Sequence, residues 1–398
     1  MSKQLNIAQR NTVLTSMAQF IVESQAEILT ANQIDLDRYS GDDISMRDRL
    51  KLDQGKIDGM ILSLEQLASE PDPLGIERFA TTHENGMHIS NKTAPFGTIL
   101  IIYESRPDVT IEAAGIAFKS GNEILLKGGK ESLNSNLVLV KLWHKALQEN
   151  DCDTNWVTYL QFNRTQTQAF LEKPTQKLDL IVPRGGERLI AFVKQHATCP
   201  VIVSGRGNNF VYVDSEADLQ MALDIIVNAK TTKISACNAL DKVLVASNLG
   251  RKHQFLQQLI LELQKSKVEI FADEALSSLA GTLPITDENM WHEEFLDYKI
   301  AIGQASDLGD AITKINTYGG GHSASIVTAN DEKANTFMES VDSAAVYHNA
   351  STRFTDGGQF GLGGELAIST DKLHQRGPIG LQHLVTNKWY VKGNGQIR

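Results

Sequence analysis

The sequence contains few cysteines and no long apolar run. Its 398 residues include only 3 cysteines. Cys152, Cys199 and Cys237 are far apart and odd in number, which argues against a disulfide framework and indicates a reducing compartment. No apolar run approaches the ~20 residues that a membrane-spanning helix needs. The polar start of the chain leads into a helical pattern rather than a signal-peptide core, so we expect a cytoplasmic protein.

Basic charge is also scarce. The chain has 38 Lys and Arg against 48 Asp and Glu, a net charge of −10. This balance argues against nucleic acid or a membrane surface as the main partner, although a local basic site can still bind a small anion. No cysteine pair has metal-ligand spacing, and His83, His88 and His322 are isolated in the sequence, so we predict no metal site.

The hydrophobic pattern predicts an α/β protein with two parallel sheets. The first part of the chain has helical periodicity, and Asn85-Gly86 predicts a hairpin. From Thr98 onward short apolar strands alternate with helices, and the alternation restarts after Cys237. We therefore expect a first domain over residues 1–230 with a late return near 361–380. A second domain is expected over 231–360, and a small β arm from 78–94 and 381–398.

One thiol lies in a short polar stretch, Ile234-Ser-Ala-Cys237-Asn-Ala-Leu. The stretch separates a helix-like run from a strand-like run, so Cys237 is expected to be held in place and yet accessible. Such a position suits a nucleophile, whose thiolate form is favoured by nearby positive charge. Lys230 and Lys233 lie just upstream and are candidates for that charge. A lone cysteine in a loop is also commonly only a small apolar residue, so the rest of the chain must decide.

Three loops follow strands of the first predicted sheet and should lie at the same edge, where open α/β sheets bind ligands. They are Tyr103–Pro107, Lys127–Lys130 and Pro183–Gly186. Glycines at a strand-to-helix turn let backbone N–H groups approach a phosphate, and the helix N-terminus favours its charge. No GxGxxG fingerprint is present, and a simple tight turn is the alternative interpretation of each glycine pair.

A late loop, Asn349 to Gly364, combines polar residues, Arg353 and five glycines. Its backbone can come close to a small anionic ligand. A solvated turn is the alternative that this composition leaves open.

Taken together, these motifs resemble the gamma-glutamyl phosphate reductases, a branch of the aldehyde dehydrogenase superfamily. The resemblance runs from about residue 5 to the C-terminus. The matching segments are Tyr103-Glu-Ser-Arg-Pro-Asp-Val-Thr110, Lys119-Ser-Gly-Asn122, Leu180-Ile-Val-Pro-Arg-Gly-Gly186, Ala222 to Lys230, Ser235-Ala-Cys-Asn-Ala239, Val341 to Tyr347, Asn349 to Gly361 and Gly393 to Arg398.

The resemblance implies an activity. A member of this family would reduce L-glutamyl 5-phosphate with NADPH to glutamate 5-semialdehyde and phosphate, the second step of proline synthesis from glutamate. Cys237 would attack the acyl phosphate and form a thioester. The Cys237 N–H and a polar group, Asn238 or Ser105, would stabilise the oxyanion.

The resemblance also implies the binding residues. Lys127 would contact the adenosine ribose or its 2′-phosphate, and Lys130, where NAD-using relatives often carry Glu, would favour NADPH. Gly185 and Gly186 would meet the pyrophosphate, and Glu294 the nicotinamide ribose. Arg106 and Arg353 would hold the substrate carboxylate or phosphate.

Three departures from the family pattern affect these expectations. Many members have Glu-Thr-Gly-x-Gly-Asn-Cys where this chain has Val203-Ser-Gly-Arg-Gly-Asn-Asn209, and Gln359 replaces a Glu of some relatives. Aldehyde-oxidising relatives use a glutamate in this region to activate water, so Val203 disfavours oxidation.

Two rival functions remain at this point. One is an aldehyde-oxidising NAD(P)-dependent dehydrogenase that uses the same thiol. The other is a non-catalytic partner of glutamate 5-kinase, an enzyme that is also a possible partner of an active reductase. Since arms of this superfamily add strands to a neighbour's sheet, we expect a homodimer or homotetramer.

Overall fold

The computed structural model describes residues 4–41 and 44–398. The chain divides into two compact units. The first comprises Met1–Val203, described from residue 4 onward, together with Gly361–Ala367 and Ile379–Arg398. The second comprises Ser204–Phe360 and Ile368–Pro378.

The first unit begins with a helical region. Asn6 and Gln9 form a capping box that begins the first helix, and its apolar face is buried in the core. The helices of this unit are α1 (Ile7–Glu23), α2 (Gln25–Arg38), α3 (Ile44–Leu50), α4 (Gln54–Ser69), α5 (Val109–Lys119), α6 (Leu133–Glu149), α7 (Arg164–Glu172) and α8 (Glu187–His196).

A four-stranded parallel sheet lies within the same unit. Its strands are β3 (Thr98–Tyr103), β4 (Glu123–Lys127), β5 (Val157–Tyr159) and β6 (Leu180–Arg184), in the order β5-β4-β3-β6. Every residue of β3 is buried, as expected for a strand covered on both faces. The central position of β3 puts the loops after β3, β4 and β6 at one edge, as the sequence predicts.

A separate antiparallel sheet contains the predicted hairpin and the C-terminal segment. Strands β1 (Glu77–Thr82) and β2 (His88–Pro95) pair across a turn at Asn85-Gly86, and β16 (Val385–Lys392) pairs with the whole of β2. The hairpin is therefore present, and the tail that we expected to form part of an arm is a regular strand.

The second unit is built on a seven-stranded parallel sheet, in the order β10-β9-β11-β8-β7-β12-β13. Its strands are β7 (Asn209–Val213), β8 (Leu240–Ala246), β9 (Glu269–Ala272), β10 (Leu283–Pro284), β11 (Lys299–Ala305), β12 (Ser323–Val327) and β13 (Ala345–His348). The helices are α9 (Leu219–Thr231), α10 (Lys252–Lys265), α11 (Leu308–Tyr318) and α12 (Asp331–Ser340).

Late in the chain, two further strands form a sheet of their own: β14 (Glu365–Ser369) and β15 (Gly377–Gly380). The chain passes from one unit to the other within each of these strands.

The boundary between the units differs from the expected one. It falls after Val203, whereas we predicted it at 230. The reason is β7, which the sequence analysis missed: it lies between β8 and β12 and brings α9 with it into the second unit. Just before this boundary, Val201 pairs with Ile181 through a single bridge.

Across residues 4–41 and 44–398, no helix combines the length and apolar character required to cross a bilayer.

Candidate active site

Cys237 lies in the loop between α9 and β8 of the second unit. Two turns hold this loop, with Ala236 N–H donating to Lys233 O at 3.2 Å and Ala239 N–H donating to Ala236 O at 2.9 Å. The cysteine is neither disulfide-bonded nor fully buried. Cys237 is therefore fixed by its loop and only partly buried, which suits a nucleophile.

The late loop after β13 packs against the residue that follows Cys237. Asn238 Nδ2 donates to Arg353 O at 3.2 Å and to Thr355 O at 2.9 Å, and Thr352 Oγ1 donates to Asn238 O at 2.8 Å. The structure thus brings Cys237, Asn238 and Arg353 together from segments more than 100 residues apart in sequence.

These bonds correct one expectation. Both hydrogens of the Asn238 amide are committed to backbone carbonyls, so this NH₂ group would have to break a bond to stabilise an oxyanion. Asn238 joins two loops instead, and the donors that remain for an oxyanion in this segment are backbone N–H groups.

The positive charge beside Cys237 comes from Arg353. Burial lowers the pKa of Arg353, while the charges of Cys237 and Asp356 act in the opposite direction. Lys230, which we expected to act on the thiol, is fully buried and lies 3.4 Å from Asp241 Oδ1 instead. Lys233 is exposed.

Several polar atoms at this site are buried without a partner. Within the part of the chain that the structure describes, Arg353 Nε, Arg353 Nη1 and Asn238 Oδ1 have no hydrogen-bond partner. Leaving such groups unpaired costs free energy, and each one calls for an explanation such as a ligand or water. A guanidinium with unused donors beside a thiol suits an anionic substrate.

Glu294 lies at the same site. Its Oε1 accepts the Gly207 N–H at 2.8 Å, and a Cβ on Gly207 would lie 2.5 Å from both Glu294 Oε1 and Cys237 O. Glycine is therefore required at this position, because only a residue without a side chain lets the three segments approach.

Buried Lys242 holds the segment that carries Glu294. Its Nζ donates to Glu293 O at 2.7 Å and lies 3.8 Å from the centre of the Phe295 ring. Burial lowers the pKa of Lys242 to about 7. No sequence motif singles out Lys242 for this role, which depends on a contact between segments about 50 residues apart.

The first unit brings its three predicted loops together, and their polar groups pair with one another. The Ser105 N–H and Oγ both donate to Glu131 Oε1, at 3.0 and 2.8 Å. Glu104 N–H donates to Arg184 O at 3.2 Å. The hydroxyl that we expected to bind an oxyanion is thus committed to Glu131, and Ser105 has a left-handed φ of 44°, a conformation that is uncommon for residues other than glycine.

The two predicted cofactor lysines differ in environment. Lys127 is half-buried, its Nζ donates to Gly128 O at 2.9 Å, and burial lowers its pKa against the opposing charges of Glu131 and Glu104. Lys130 is exposed at the start of a short 3₁₀ helix. Lys130 is therefore the one available for a phosphate at the surface.

The residues of the first unit fit an anionic group at the start of α8. The Gly186 N–H donates to the carboxylate oxygen Glu104 Oε2 at 2.9 Å, and a Cβ on Gly185 would lie 2.3 Å from the same atom. A negatively charged oxygen already sits on this helix N-terminus, so the site has the chemistry that a pyrophosphate needs.

Arg106 acts electrostatically on Glu112 in the first unit. Burial and the charge of Asp108 raise the pKa of Glu112 to about 7, while Arg184 and Arg106 counteract the shift. Of the departures, Val203 is buried and Gln359 is exposed in a turn where its N–H meets Asp356 Oδ1 at 3.2 Å.

Comparison with known proteins gives a consistent result. Residues 2–278 match the model of the aldehyde dehydrogenase family. A gamma-glutamyl phosphate reductase of Clostridium perfringens is 41% identical over 392 residues, covering 98% of this chain and 94% of that protein. The one from Carboxydothermus hydrogenoformans is 42% identical over 398 residues, covering 99% of this chain and 95% of its own.

Solved structures agree with the sequence matches. The crystal structure of a gamma-glutamyl phosphate reductase from Thermotoga maritima covers 99% of this chain and 95% of its own, with a TM-score of 0.95 and 40% identity. An engineered glycolyl-CoA reductase with bound NADP⁺, at 16% identity and a TM-score of 0.68, shares the fold. The chain therefore belongs to the aldehyde dehydrogenase family and, within it, to the gamma-glutamyl phosphate reductases.

Proposed function

We propose that this oxidoreductase reduces L-glutamyl 5-phosphate to L-glutamate 5-semialdehyde and phosphate with NADPH, through a thioester on Cys237. The relatives at about 40% identity over nearly the whole chain carry the name of this reaction. One observation of the structure supports the chemical part: Cys237, which is only partly buried, lies beside the guanidinium of Arg353, whose Nε and Nη1 have no hydrogen-bond partner among the described residues.

The thiol would act first. The Cys237 thiolate attacks the acyl carbon, an S–C bond forms, and the C–O bond to phosphate breaks so that phosphate leaves with the electron pair. A cation beside the sulfur favours the thiolate and also the negative charge that develops on the acyl oxygen. Arg353 supplies that cation, and it holds the substrate through donors that have no other use.

The second step needs a hydride, which NADPH supplies when bound. The residues of the first unit that would hold it are Lys127, Lys130, Gly185 and Gly186. The collapse of the reduced species then releases the aldehyde and restores the Cys237 thiolate, so that sulfur ends the cycle in the form in which it began. In this scheme the first unit binds the cofactor and the second carries the catalytic thiol.

The residue at position 203 bears on whether water can be activated to attack the thioester. An aldehyde-oxidising enzyme needs a base to activate water against the thioester, whereas a reductase loses its intermediate to that water. Val203 is an apolar residue that is only 6% exposed and cannot act as a base. This residue supports reduction over the oxidising alternative.

Trapping the thioester tests the proposal most directly. The enzyme is run in reverse with glutamate 5-semialdehyde and NADP⁺, without phosphate, and the acylated peptide is identified by mass spectrometry. We expect acylation of Cys237 that is lost when phosphate is added and absent in Cys237→Ser. Labelling of Cys199, or an active Cys237→Ser enzyme, would disprove the assignment.

The cofactor preference has its own test. Lys130→Glu should lower the ratio of kcat/KM with NADPH to that with NADH by about 10-fold or more, because it puts a carboxylate where a 2′-phosphate is proposed to bind. Lys173→Glu is the matched control, since it makes the same charge change at an exposed position of the first unit. Equal ratios in the two variants would contradict the role of Lys130.

We also propose that the three-stranded sheet of β1, β2 and β16 mediates association into a dimer or tetramer. Phe79, Trp389 and Val391 on its outer strands are 50, 55 and 56% exposed, and such apolar exposure is typical of interfaces. Light scattering of the full chain and of Trp389→Glu measures the mass of the assembly, which should be smaller for the variant. An unchanged mass for the variant would argue against this sheet.

A further inference from the structure

Asn209 begins β7, the strand that lies between β8 and β12 in the sheet of the second unit. Its side chain is polar and yet the residue is 0% exposed. A buried amide is costly unless its donors and acceptor are all paired. Its hydrogen-bond partners therefore indicate what this residue does.

The partners of Asn209 come from both neighbouring strands. Its Nδ2 donates to Cys237 O at 2.7 Å and to Ala239 O at 2.6 Å, both on the loop that leads into β8. Its Oδ1 accepts the Ser323 N–H at 3.0 Å, at the start of β12. Only the NH₂ group of the amide can donate to two carbonyl oxygens, and only its oxygen can accept from an N–H. The partners therefore fix the orientation of the Asn209 amide.

The Asn209 side chain makes hydrogen bonds at a point where the backbone pairing of β7 with β8 is irregular. The pairing of β7 with β8 shifts at this point: Asn209 pairs with Leu240 and Phe210 with Lys242, which leaves Asp241 as an extra residue. A bulge of this kind ends regular pairing and re-aims a side chain. The Asn209 amide extends the sheet past the bulge to the loop of Cys237.

This arrangement sets the direction of the peptide groups around the thiol. The peptide bonds are trans, so the Cys237 carbonyl and the Asn238 N–H of the same peptide point in opposite directions. Because Asn209 holds that carbonyl, the Asn238 N–H points away from Asn209. A carbonyl turned toward the sulfur would instead repel the thiolate and any oxyanion.

We propose that Asn209 is a positioning residue, which holds the carbonyls of Cys237 and Ala239 in the interior and so keeps backbone N–H groups available to the reacting centre. This inference rests on the proposed role of Cys237 as the nucleophile. Asn209 touches neither substrate nor cofactor in this scheme and acts through the loop alone.

The test is the rate at which iodoacetamide alkylates Cys237, followed by peptide mass spectrometry on folded enzyme. Asn209→Leu has nearly the same volume and removes the donors and the acceptor. We expect Cys237 to be alkylated about tenfold more slowly, the factor that one lost hydrogen bond of ordinary strength gives. Activity should show a similar fall in kcat, with KM for NADPH changed less than about twofold.

Asn122→Leu is the matched control. Asn122 is also 0% exposed, and it too joins separate segments: its Nδ2 donates to Ala117 O and Leu384 O, and its Oδ1 accepts the Gly97 N–H. Its loss should destabilise the first unit and leave the alkylation rate of Cys237 unchanged. If Asn209→Leu does not fold, Asn209→Asp takes its place, with an expected slowing of about threefold because at most one donor remains.

The outcomes separate the two proposals. A structural role alone would loosen the loop, so Cys237 alkylated at the wild-type rate or faster in a folded Asn209 variant overturns the inference. Equal slowing in Asn122→Leu overturns it as well. An active Cys237→Ser enzyme would instead disprove the nucleophile, while the alkylation rates would still show whether Asn209 sets the reactivity of that thiol.

Discussion

The two units differ in how they treat the polar groups at their candidate sites. In the first unit, carboxylates of the protein itself satisfy the donors: Glu131 accepts from Ser105, and Glu104 accepts from the Gly186 N–H. In the second unit, Arg353 has buried donors without partners in the described part of the chain. Ser105 and Gly186 thus have acceptors inside the protein, whereas Arg353 keeps donors for a ligand.

This difference indicates two strategies for binding an anion. An unpaired, pre-oriented cation costs stability but needs no rearrangement when the substrate arrives. A helix N-terminus that holds an internal carboxylate is stable by itself, but the ligand must displace that carboxylate. We therefore expect substitutions in the second unit to affect catalysis strongly, and substitutions of the first-unit carboxylates to alter affinity mildly.

The largest effect should come from Arg353. Arg353→Met keeps much of the side-chain volume and removes the charge, and we expect kcat/KM for the acyl phosphate to fall about 100-fold or more, as for a lost charge-assisted bidentate contact. Arg376→Met is the control, because the Arg376 guanidinium is already bonded to Asp342 in the same unit. A loss in Arg353→Met no greater than in the control would remove Arg353 from the site.

The next effect should come from Gly207. In Gly207→Ala the new Cβ would lie 2.5 Å from Cys237 O and from Glu294 Oε1, so one of these segments must move. We expect kcat to fall about 10- to 50-fold, because displacement of a positioned nucleophile by even 1 Å is costly. Steady-state kinetics measures this. Gly250→Ala, which would meet no atom within 4 Å, should retain activity, and similar values for the two variants would contradict the close packing.

A smaller effect of opposite sign is expected in the first unit. Glu104→Gln removes the negative charge at the N-terminus of α8. The neutral amide oxygen is a weaker acceptor for the Gly186 N–H, so an anionic cofactor displaces it more easily. We expect KM for NADPH to fall about threefold with little change in kcat. Glu65→Gln makes the same charge change on an exposed part of α4. A rise in KM for Glu104→Gln would show that Glu104 assists binding instead.

The sequence allowed much of this arrangement to be predicted. The fold class is confirmed, since alternating apolar strands and helices depend on local patterns. Cys237, Arg353 and Glu294, singled out from separate motifs, lie in one cluster. Strand β7 was not predicted, although its five residues are all buried, because the glycines directly before it are typical of a loop. The continuous run Phe210 to Val213 was the available signal.

What the sequence could not predict is which polar groups pair. Asn238 binds carbonyls 115 and 117 residues away, and Ser105 binds a glutamate 26 residues away. Such partners depend on how loops meet in three dimensions, and no spacing or propensity encodes them. Asn209 illustrates the same limit: in sequence it is only a departure from a family motif, and in the structure it meets three backbone groups.

The smallest effect concerns a buried charge in the second unit, Lys242. Burial lowers its pKa from the ordinary 10.5 to about 7, so between these values the unfolded chain binds more protons than the folded one. The free energy of unfolding should therefore rise with pH across this window.

In Lys242→Met that contribution disappears, while the contact with the Phe295 ring is kept in apolar form. Urea unfolding at pH 7.5 and 9.5 measures this. Between these pH values the free energy of unfolding should increase by about 1 kcal/mol more in the wild type than in the variant. Parallel changes in the two proteins would mean that Lys242 stays charged at pH 9.5, and that the carbonyl of Glu293 and the ring of Phe295 stabilise its ammonium enough to offset burial.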